Sequence, residues 1–539
     1  MSRVSAHVDT FARDHLPPEH QWPILSFDLD SLMYPDVLNC GAALLDQAAA
    51  AAPDKPAILQ GERVWTYGEL AARANRFAHV LIDDLGVVPG ARVLLRGHNT
   101  PELFAAWLAV MKAGAVAVTT MSMLRTRELR QIVDKAQVAL ALCQHDLMDE
   151  LSPLVGDGPL RRAVAYGAPG AELEGLAAGK PPAFDAVPTA QDDVCLIAFT
   201  SGTTGDPKAT MHFHRDVMAM CDTFATHMLH PTEGAVFSGS PPIAFTFGLG
   251  ALLVFPLYFG ASMAIPEQAS PAGLAEAVQR HRVTHLFTSP TAYRAILAKR
   301  SEFDLSSLKV CVSAGEQLPR HVSDAWFEAT GLRIVDGIGS TEMIHIFISA
   351  AGADARPGAV GKPVPGYRAC LLDDRGREID GPGVGRLGVI GPTGCRYLAD
   401  KRQSAYIVSG WNVTGDIFRR DEDGYYWYVA RSDDMIVSSG YNIAGPEIEA
   451  ALSLHPDVAE CAVVGWPDEE RGQIVKAYVV PRGGVAPSPE LVRRLQDHVK
   501  QTLAPYKYPR AVEFKTSLPR TNTGKLQRHA LRAEAPAHA

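Results

Sequence analysis

No two of the eight cysteines, at 40, 143, 195, 221, 311, 370, 395 and 461, are spaced as CxxC, so neither a zinc site nor a thioredoxin-like redox pair is expected. Their even spread along a large chain reads as reduced, partly buried thiols in a cytoplasmic protein. The opening MSRVSAHVDTFARDHLPPEH lacks the apolar stretch of a secretory signal. Basic residues form no block, and 51 Lys and Arg against 60 Asp and Glu leave a net charge of −9. Such a field excludes a general nucleic-acid or anionic-membrane binder. No internal repeat is visible, which removes solenoid architectures. What remains is an ordinary globular mix, 47% apolar and 21% charged over 539 residues. At ~150 residues per domain that length suggests three or four units, with ample core and no need of covalent staples.

One stretch tests the globular reading. Gly234 to Pro266 contains no Asp, Glu, Lys or Arg, long enough to raise a membrane span. Pro241, Pro242, Pro256 and Pro266 punctuate it, together with Gly248, Gly250 and Gly260, and no basic cluster flanks it. Buried helix and strand are therefore expected.

Elsewhere strand and helix patterns alternate. Thr66 and Glu69 form a reciprocal capping pair ahead of a helix, and Thr100–Pro101 opens another that Gly114 stops. ARVLLRG and AVAVTT read as strands around the second helix, and VTHLFTSP, LKVCVSAGEQLP and LRIVDGIGSTE as strands ending in Gly- or Ser-rich turns. This rhythm predicts parallel sheets covered by helices, with ligands at the carboxyl ends of the strands. Beyond residue 360 hairpins take over, and after Arg431 a unit of about a hundred residues mixes strands with two helices.

The strongest local signal is FTSGTTGDPKAT. Gly202 and Gly205 let backbone amides approach an anion, Ser201, Thr203 and Thr204 add hydroxyl donors beside Thr200, and Lys208 supplies charge. Following the apolar strand VCLIAF, this loop is a phosphate cradle, though not a Walker loop, since Pro207 stands where GxxxxGK needs glycine. In DGIGSTE, Gly337 and Gly339 allow close approach to a flat ligand, while Thr341 and Glu342 suit phosphate and a divalent cation. Gly383, Gly385 and Gly388 spell GxGxxG but lie in a hairpin with no helix after them, so dinucleotide binding is rejected. His212 and His214 lack a third ligand in the sequence and are expected to be structural. Asp416, Arg431, Gly440 and Lys525 complete the set, each unremarkable alone.

Taken together and in this order, these motifs resemble the adenylate-forming superfamily of acyl- and aryl-CoA synthetases, adenylation domains and luciferases, from about residue 40 to about 532. DGIGSTEMIHIF, SAGEQLP, KPVPGY and LAPYKYPR resemble benzoate-type CoA ligases, and LPPEHQWP with PKATMHFHRD resembles 2-aminobenzoate (anthranilate)–CoA ligases. The resemblance implies an α/β fold. Residues 1–432 would form a large N-terminal domain of parallel and mixed sheets covered by helices, with a β-rich subdomain. Residues 433–539 would form a small, mobile α+β lid hinged at Asp433.

It also implies that an aromatic carboxylic acid, of benzoate or 2-aminobenzoate type, is activated with Mg-ATP as an acyl-adenylate and passed to coenzyme A. A stand-alone enzyme that loads a carrier protein is the alternative. By resemblance the Thr200–Lys208 loop would cradle pyrophosphate, and Thr341 and Glu342 would meet the α-phosphate and Mg²⁺. Gly315, Glu316, Gln317 and Asp336 would border adenine, with Gly337, Ile338, Gly339 and Gly440 lining the nucleotide site. Asp416 would bind ribose beside Arg431, and Lys525 would serve adenylation alone. Thr246, Phe247, Ala314, Gly337, Ile338, His345 and Ile346 would form a flat aryl slot, in which Thr246 or His345 hydrogen-bonds an ortho substituent or the carboxylate. Ile338 stands where many relatives stack an aromatic ring on adenine. A monomer or homodimer, with neither nucleic acid nor membrane as partner, is expected.

Overall fold

The computed structural model describes residues 4–200, 207–438, 441–468, 471–503, 505–521 and 525–533. The chain divides into two compact units, Met1–Ala369 with Val389–Asn412, and Cys370–Gly388 with Val413–Ala539.

Two sheets organise the first unit. The six-stranded one runs in the order Arg162–Tyr166, Leu140–Gln144, Arg92–Arg96, Val116–Thr120, Val194–Thr200, Lys208–Phe213. Its strands are parallel except the last, which folds back antiparallel on Val194–Thr200. Arg92–Arg96 and Val116–Thr120 are buried along their whole length, the pattern of parallel strands covered on both faces. The capping box at Thr66 forms as expected, with both reciprocal hydrogen bonds in place. Thr100 caps the Pro101–Lys112 helix, accepting from the Leu103 amide. That helix is buried all round except at Glu102, as an apolar helix between layers must be.

The nine-stranded sheet places the parallel strands Ile334–Gly339, Val310–Ser313, His285–Thr288, Val236–Gly239, Ser262–Ala264 and Pro56–Gln60 side by side. Antiparallel strands close both edges. Leu274, Val278, Ile296, Val322 and Trp326 from the covering helices pack with Leu286 and Cys311 of the sheet. The charge-poor run forms the Val236–Gly239 strand, a continuous helical stretch from Thr246 to Tyr258 with a wide turn at Gly250–Val254, and the Ser262–Ala264 strand. Leu252, Leu253, Val254 and Phe255 are fully enclosed. Among the described residues no helix is long and apolar enough to cross a membrane.

The second unit holds most of the hairpin strands Gly383–Ile390 and Trp411–Arg420 and all of Tyr426–Arg431. The GxGxxG glycines sit within the first of these, so no helix N-terminus is there to receive a phosphate. A further five-stranded sheet pairs the long strands Val458–Asp468 and Gly472–Pro481. The Pro489–Thr502 helix buries Leu491, Leu495 and Val499, one stripe at four-residue spacing, against Ile436, Ile448 and Val475.

Candidate active site

The first cluster grows from the outermost strand of the six-stranded sheet. Thr200 and Lys208 face each other across the Val194–Thr200 and Lys208–Phe213 pair. The expected cradle residues Ser201, Gly202, Thr203, Thr204 and Gly205 lie outside the described residues, as does Gly440. Lys208 places its Nζ 5.4 Å from the ring centre of Tyr397. The hydroxyl of Tyr397 donates to Glu342 Oε1 at 2.6 Å, and Glu342 is only 8% exposed. A single tyrosine therefore joins the two charged groups singled out for the triphosphate end of a nucleotide.

Thr341–Met343 is a tight turn whose cap is Ser340, with Oγ accepting from the Met343 amide at 3.2 Å. His212 Nε2 lies 2.8 Å from the Thr341 carbonyl and donates to it. Thr393 Oγ1 donates to the Met343 carbonyl at 2.9 Å. The next residue, Ile344, is buried and takes φ 64°, ψ −35°. For a β-branched residue that conformation costs on the order of 1–3 kcal/mol and survives only where its surroundings impose it. The strained step turns the chain from Glu342 into His345 within three residues.

His345 sits in an aromatic box. Its ring centre is 4.8 Å from that of Phe255, 5.0 Å from Phe224 and 5.8 Å from Phe247. Burial lowers its pKa to about 3, only partly offset by the backbone at Phe247, so the ring is neutral at physiological pH. A Cβ on Gly250 would come 2.8 Å from His345 Nε2, which is why the wide helical turn begins with glycine. Thr246, buried, starts the same helix.

A third grouping lies at the carboxyl ends of parallel strands. Ser313 pairs with Asp336, which places Ala314 and Gly315 beside Asp336 and Gly337. Gly315 makes the turn with φ 88°, a left-handed conformation suited to glycine. Thr291 Oγ1 donates to Glu316 at 3.0 Å, and Gln317 follows on the same loop. Asp336 keeps some exposure as a residue, yet desolvation raises its carboxyl to about 7, opposed by the Gly337 amide. Gly337, Ile338 and Gly339 pair with Ser349, Ile348 and Ile346. A Cβ on Gly337 would meet Ile346 Cγ2 at 2.7 Å.

Three expected residues belong to the second unit. Asp416 and Arg431 are direct cross-strand partners, with Nη1 3.2 Å from Oδ1. Lys525 is exposed, in a turn where its amide donates to Thr521 Oγ1 at 3.0 Å.

Sequence reasoning missed Tyr397 altogether and placed His212 only as structural. What no spacing in the sequence signals is that the fold brings ligand-capable atoms of Cys40, Cys195 and His214 within 4.8 Å of one another. These chain-distant residues meet only through tertiary packing. His214 Nδ1 accepts from the Cys40 amide at 3.2 Å and lies 3.1 Å from its Sγ.

Residues 45–396 match the AMP-binding enzyme family, and residues 447–525 match the AMP-binding enzyme C-terminal domain. The chain belongs to the AMP-binding enzymes. It is 39% identical over 481 residues to a benzoate–CoA ligase of Thauera aromatica, covering 87% of this chain and 90% of that one. A 3-hydroxybenzoate–CoA ligase of Aromatoleum is 33% identical over 491 residues, covering 89% of this chain and 93% of its own length. Among solved structures, an anthranilate CoA ligase in complex with anthranoyl-AMP superposes with a TM-score of 0.88 at 34% identity, covering 94% of this chain and 99% of that one. A benzoate CoA ligase from Burkholderia xenovorans gives 0.84 at 32%, covering 92% and 100%. This AMP-binding enzyme falls in the adenylate-forming benzoate–CoA ligase group and is an AMP-forming acid–CoA ligase. Its α/β class agrees with the sequence expectation.

Proposed function

We propose that the protein activates a benzoate-type acid, with 2-aminobenzoate as the preferred substrate, and transfers the aroyl group to coenzyme A. The observation that carries this reading is the 341–345 turn, which presents Glu342 to Tyr397 at one end and His345 to an aromatic box at the other. One short segment thus serves both the phosphate chemistry and a flat apolar ring. In the first step a carboxylate oxygen of the aryl acid attacks the ATP α-phosphorus, the bond to the bridging oxygen breaks, and pyrophosphate leaves. Positioning and charge neutralisation are what such a step needs.

Lys208 and the hydroxyls of Thr200 and Thr341 hold phosphate oxygens. Asp416, oriented by Arg431, accepts from the ribose, and Asp336 with the Gly315–Gln317 loop borders adenine. Lys525 neutralises charge that develops in adenylation only. The carboxylate of Glu342 is a hard oxygen donor suited to Mg²⁺, which would supply charge neutralisation at the triphosphate. Then the CoA sulfur attacks the acyl carbon, the carbon–oxygen bond to AMP breaks, and the thiol proton passes to solvent.

Small Ala314 leaves room for a flat ring beside Phe247, and the bare Cα of Gly337 lets the Ile346 side chain pack against its strand as an apolar wall. Neutral His345 can offer one nitrogen as donor or the other as acceptor, and Thr246 adds a hydroxyl for an ortho amine. Residues 433–539 act as a lid hinged at Asp433, a reading supported by the short Ser432–Asp434 turn between two strands. The eight thiols, none in a disulfide, suit a cytoplasmic setting.

The test is AMP release with Mg-ATP, with and without CoA, across substituted benzoates. CoA-dependent turnover led by 2-aminobenzoate is the expected result. Turnover led by benzoate would overturn the ortho preference, and absence of AMP with every aryl acid would overturn the substrate class.

A further inference from the structure

The Lys208–Phe213 strand receives a second partner on its outer side. Met211 N donates to Arg396 O, and Leu398 N to Ala209 O, each at 2.8 Å, with Thr210 opposite Tyr397. Side chains alternate along extended backbone, so Lys208 and His212 share one face of the strand. Across the pairing, Arg396 and Tyr397 point to opposite sides. Tyr397 goes to Glu342 and Lys208. Arg396 goes into the interior, where its Nη1 meets Asp216 Oδ2 at 2.9 Å and its guanidinium lies 4.0 Å from the Phe213 ring centre. Asp216 in turn stands 3.8 Å from His212 Nδ1 and accepts from the Phe213 amide at 3.0 Å. The chain Arg396–Asp216–His212 therefore ends on the Thr341 carbonyl, while the neighbouring residue Tyr397 ends on the Glu342 carboxylate.

We infer that Tyr397 and His212 are positioning residues for the adenylation half-reaction, Tyr397 by orienting the Glu342 carboxylate and His212 by pinning the Thr341 carbonyl. The inference rests on the adenylation reading of the site above. With Oε1 accepting from the Tyr397 hydroxyl, the Glu342 carboxylate is held in one orientation, in which it would meet the metal of Mg-ATP. The ring of Tyr397 faces the Lys208 ammonium, a contact that a phenylalanine would keep. The triphosphate is absent from the CoA step, so the Tyr397 contact with Glu342 is not needed there.

The experiment compares wild type with Tyr397→Phe, His212→Gln and His212→Leu in the two half-reactions separately. Tyr397→Phe should lower the adenylation rate by about ten- to a hundred-fold, below the loss typical of a donor that contacts the transition state directly. It should also raise the Mg²⁺ concentration for half-maximal adenylation several-fold. Thioester formation from supplied aroyl-adenylate should stay within about two-fold of wild type. His212→Gln, which keeps an N–H donor, should retain most of the adenylation rate that His212→Leu loses.

An ordinary packing role would lower both half-reactions together and leave the Mg²⁺ dependence unmoved, and that result overturns the inference. So does a Tyr397→Phe enzyme that matches wild type in adenylation rate and Mg²⁺ dependence. If the wild type releases no AMP with any aryl acid, the substrate reading fails by itself. The inference is then decided by calorimetric titration of ATP at low and high Mg²⁺. An unchanged Mg²⁺ dependence of ATP affinity in Tyr397→Phe refutes it, as does a wild type that binds no Mg-ATP.

Discussion

Replacing Arg396 by methionine should destabilise the first unit by about 3–5 kcal/mol, the usual consequence of leaving one member of a buried ion pair without the other. Both partners are 0% exposed and 2.9 Å apart, so water cannot take over the role of the guanidinium. A second route gives a comparable scale. Burial works against ionisation of Asp216, yet Arg396 first, then the neighbouring His212 and Arg215, hold its pKa at about 2 against an ordinary 3.8. At 1.36 kcal/mol per pK unit that is roughly 2.5 kcal/mol of native-state stabilisation, present above pH ~4 and lost as pH falls towards 2. The first figure is the larger because truncation also strands a carboxylate in the interior.

Urea unfolding followed by tryptophan fluorescence is the natural assay, since the Arg396 guanidinium lies 5.2 Å from the Trp22 ring. With two compact units in the chain, the quantity to compare is the transition that involves Trp22, not one global free energy. The double variant Asp216→Asn, Arg396→Met removes both charges and should recover part of the loss, giving a coupling energy of about 2 kcal/mol or more. A single Arg396→Met variant within about 1 kcal/mol of wild type would refute the reasoning, because a pair this deeply buried cannot be truncated at the cost of a surface one.

Three other expectations follow from the site. His345, neutral and held at about 3 by burial, favours the folded state less as pH drops through the unfolded value of 6.5, because the unfolded chain then binds the extra proton. The change is about 1.6 kcal/mol between pH 6.5 and 5, so His345→Leu should lose less Tm than wild type over that interval, and equal losses would contradict it. Gly337→Ala pushes a methyl into Ile346 and should raise KM for substituted benzoates several-fold, with a smaller rise in KM for ATP because Gly337 also lines the nucleotide site. Lys525→Ala should abolish adenylate formation and spare thioester formation from supplied adenylate, and equal loss of both half-reactions would remove that role.

Much of the fold is legible because its signals are local. The Thr66–Glu69 box spans four residues and the Thr100–Pro101 helix start two, and both appear as the side-chain chemistry demands. Rejection of Gly383–Gly388 as a dinucleotide fingerprint needed only the expectation that no helix follows, and those residues lie in the Gly383–Ile390 strand. Glu342 and Lys208 were recognisable because each sits in a dense run of glycines and hydroxyl residues. Tyr397 carries no such signature. Its meaning comes from an isolated bridge to Thr210 and a contact with a residue 55 positions away.

From the chain alone came the strand–helix alternation, the turns in which phosphate-binding residue types concentrate, and the expectation that an uncharged run of thirty-odd residues folds inward. These are consequences of backbone preference, capping and hydrophobic period, which act over a few residues. Tertiary structure decided the rest. It set His345 among Phe224, Phe247 and Phe255, tied His212 to Thr341 across 129 positions, and imposed a left-handed backbone on Ile344 against its own preference. Such contacts arise where strands distant in the chain are brought into register, and the residues taking part look ordinary until that register exists.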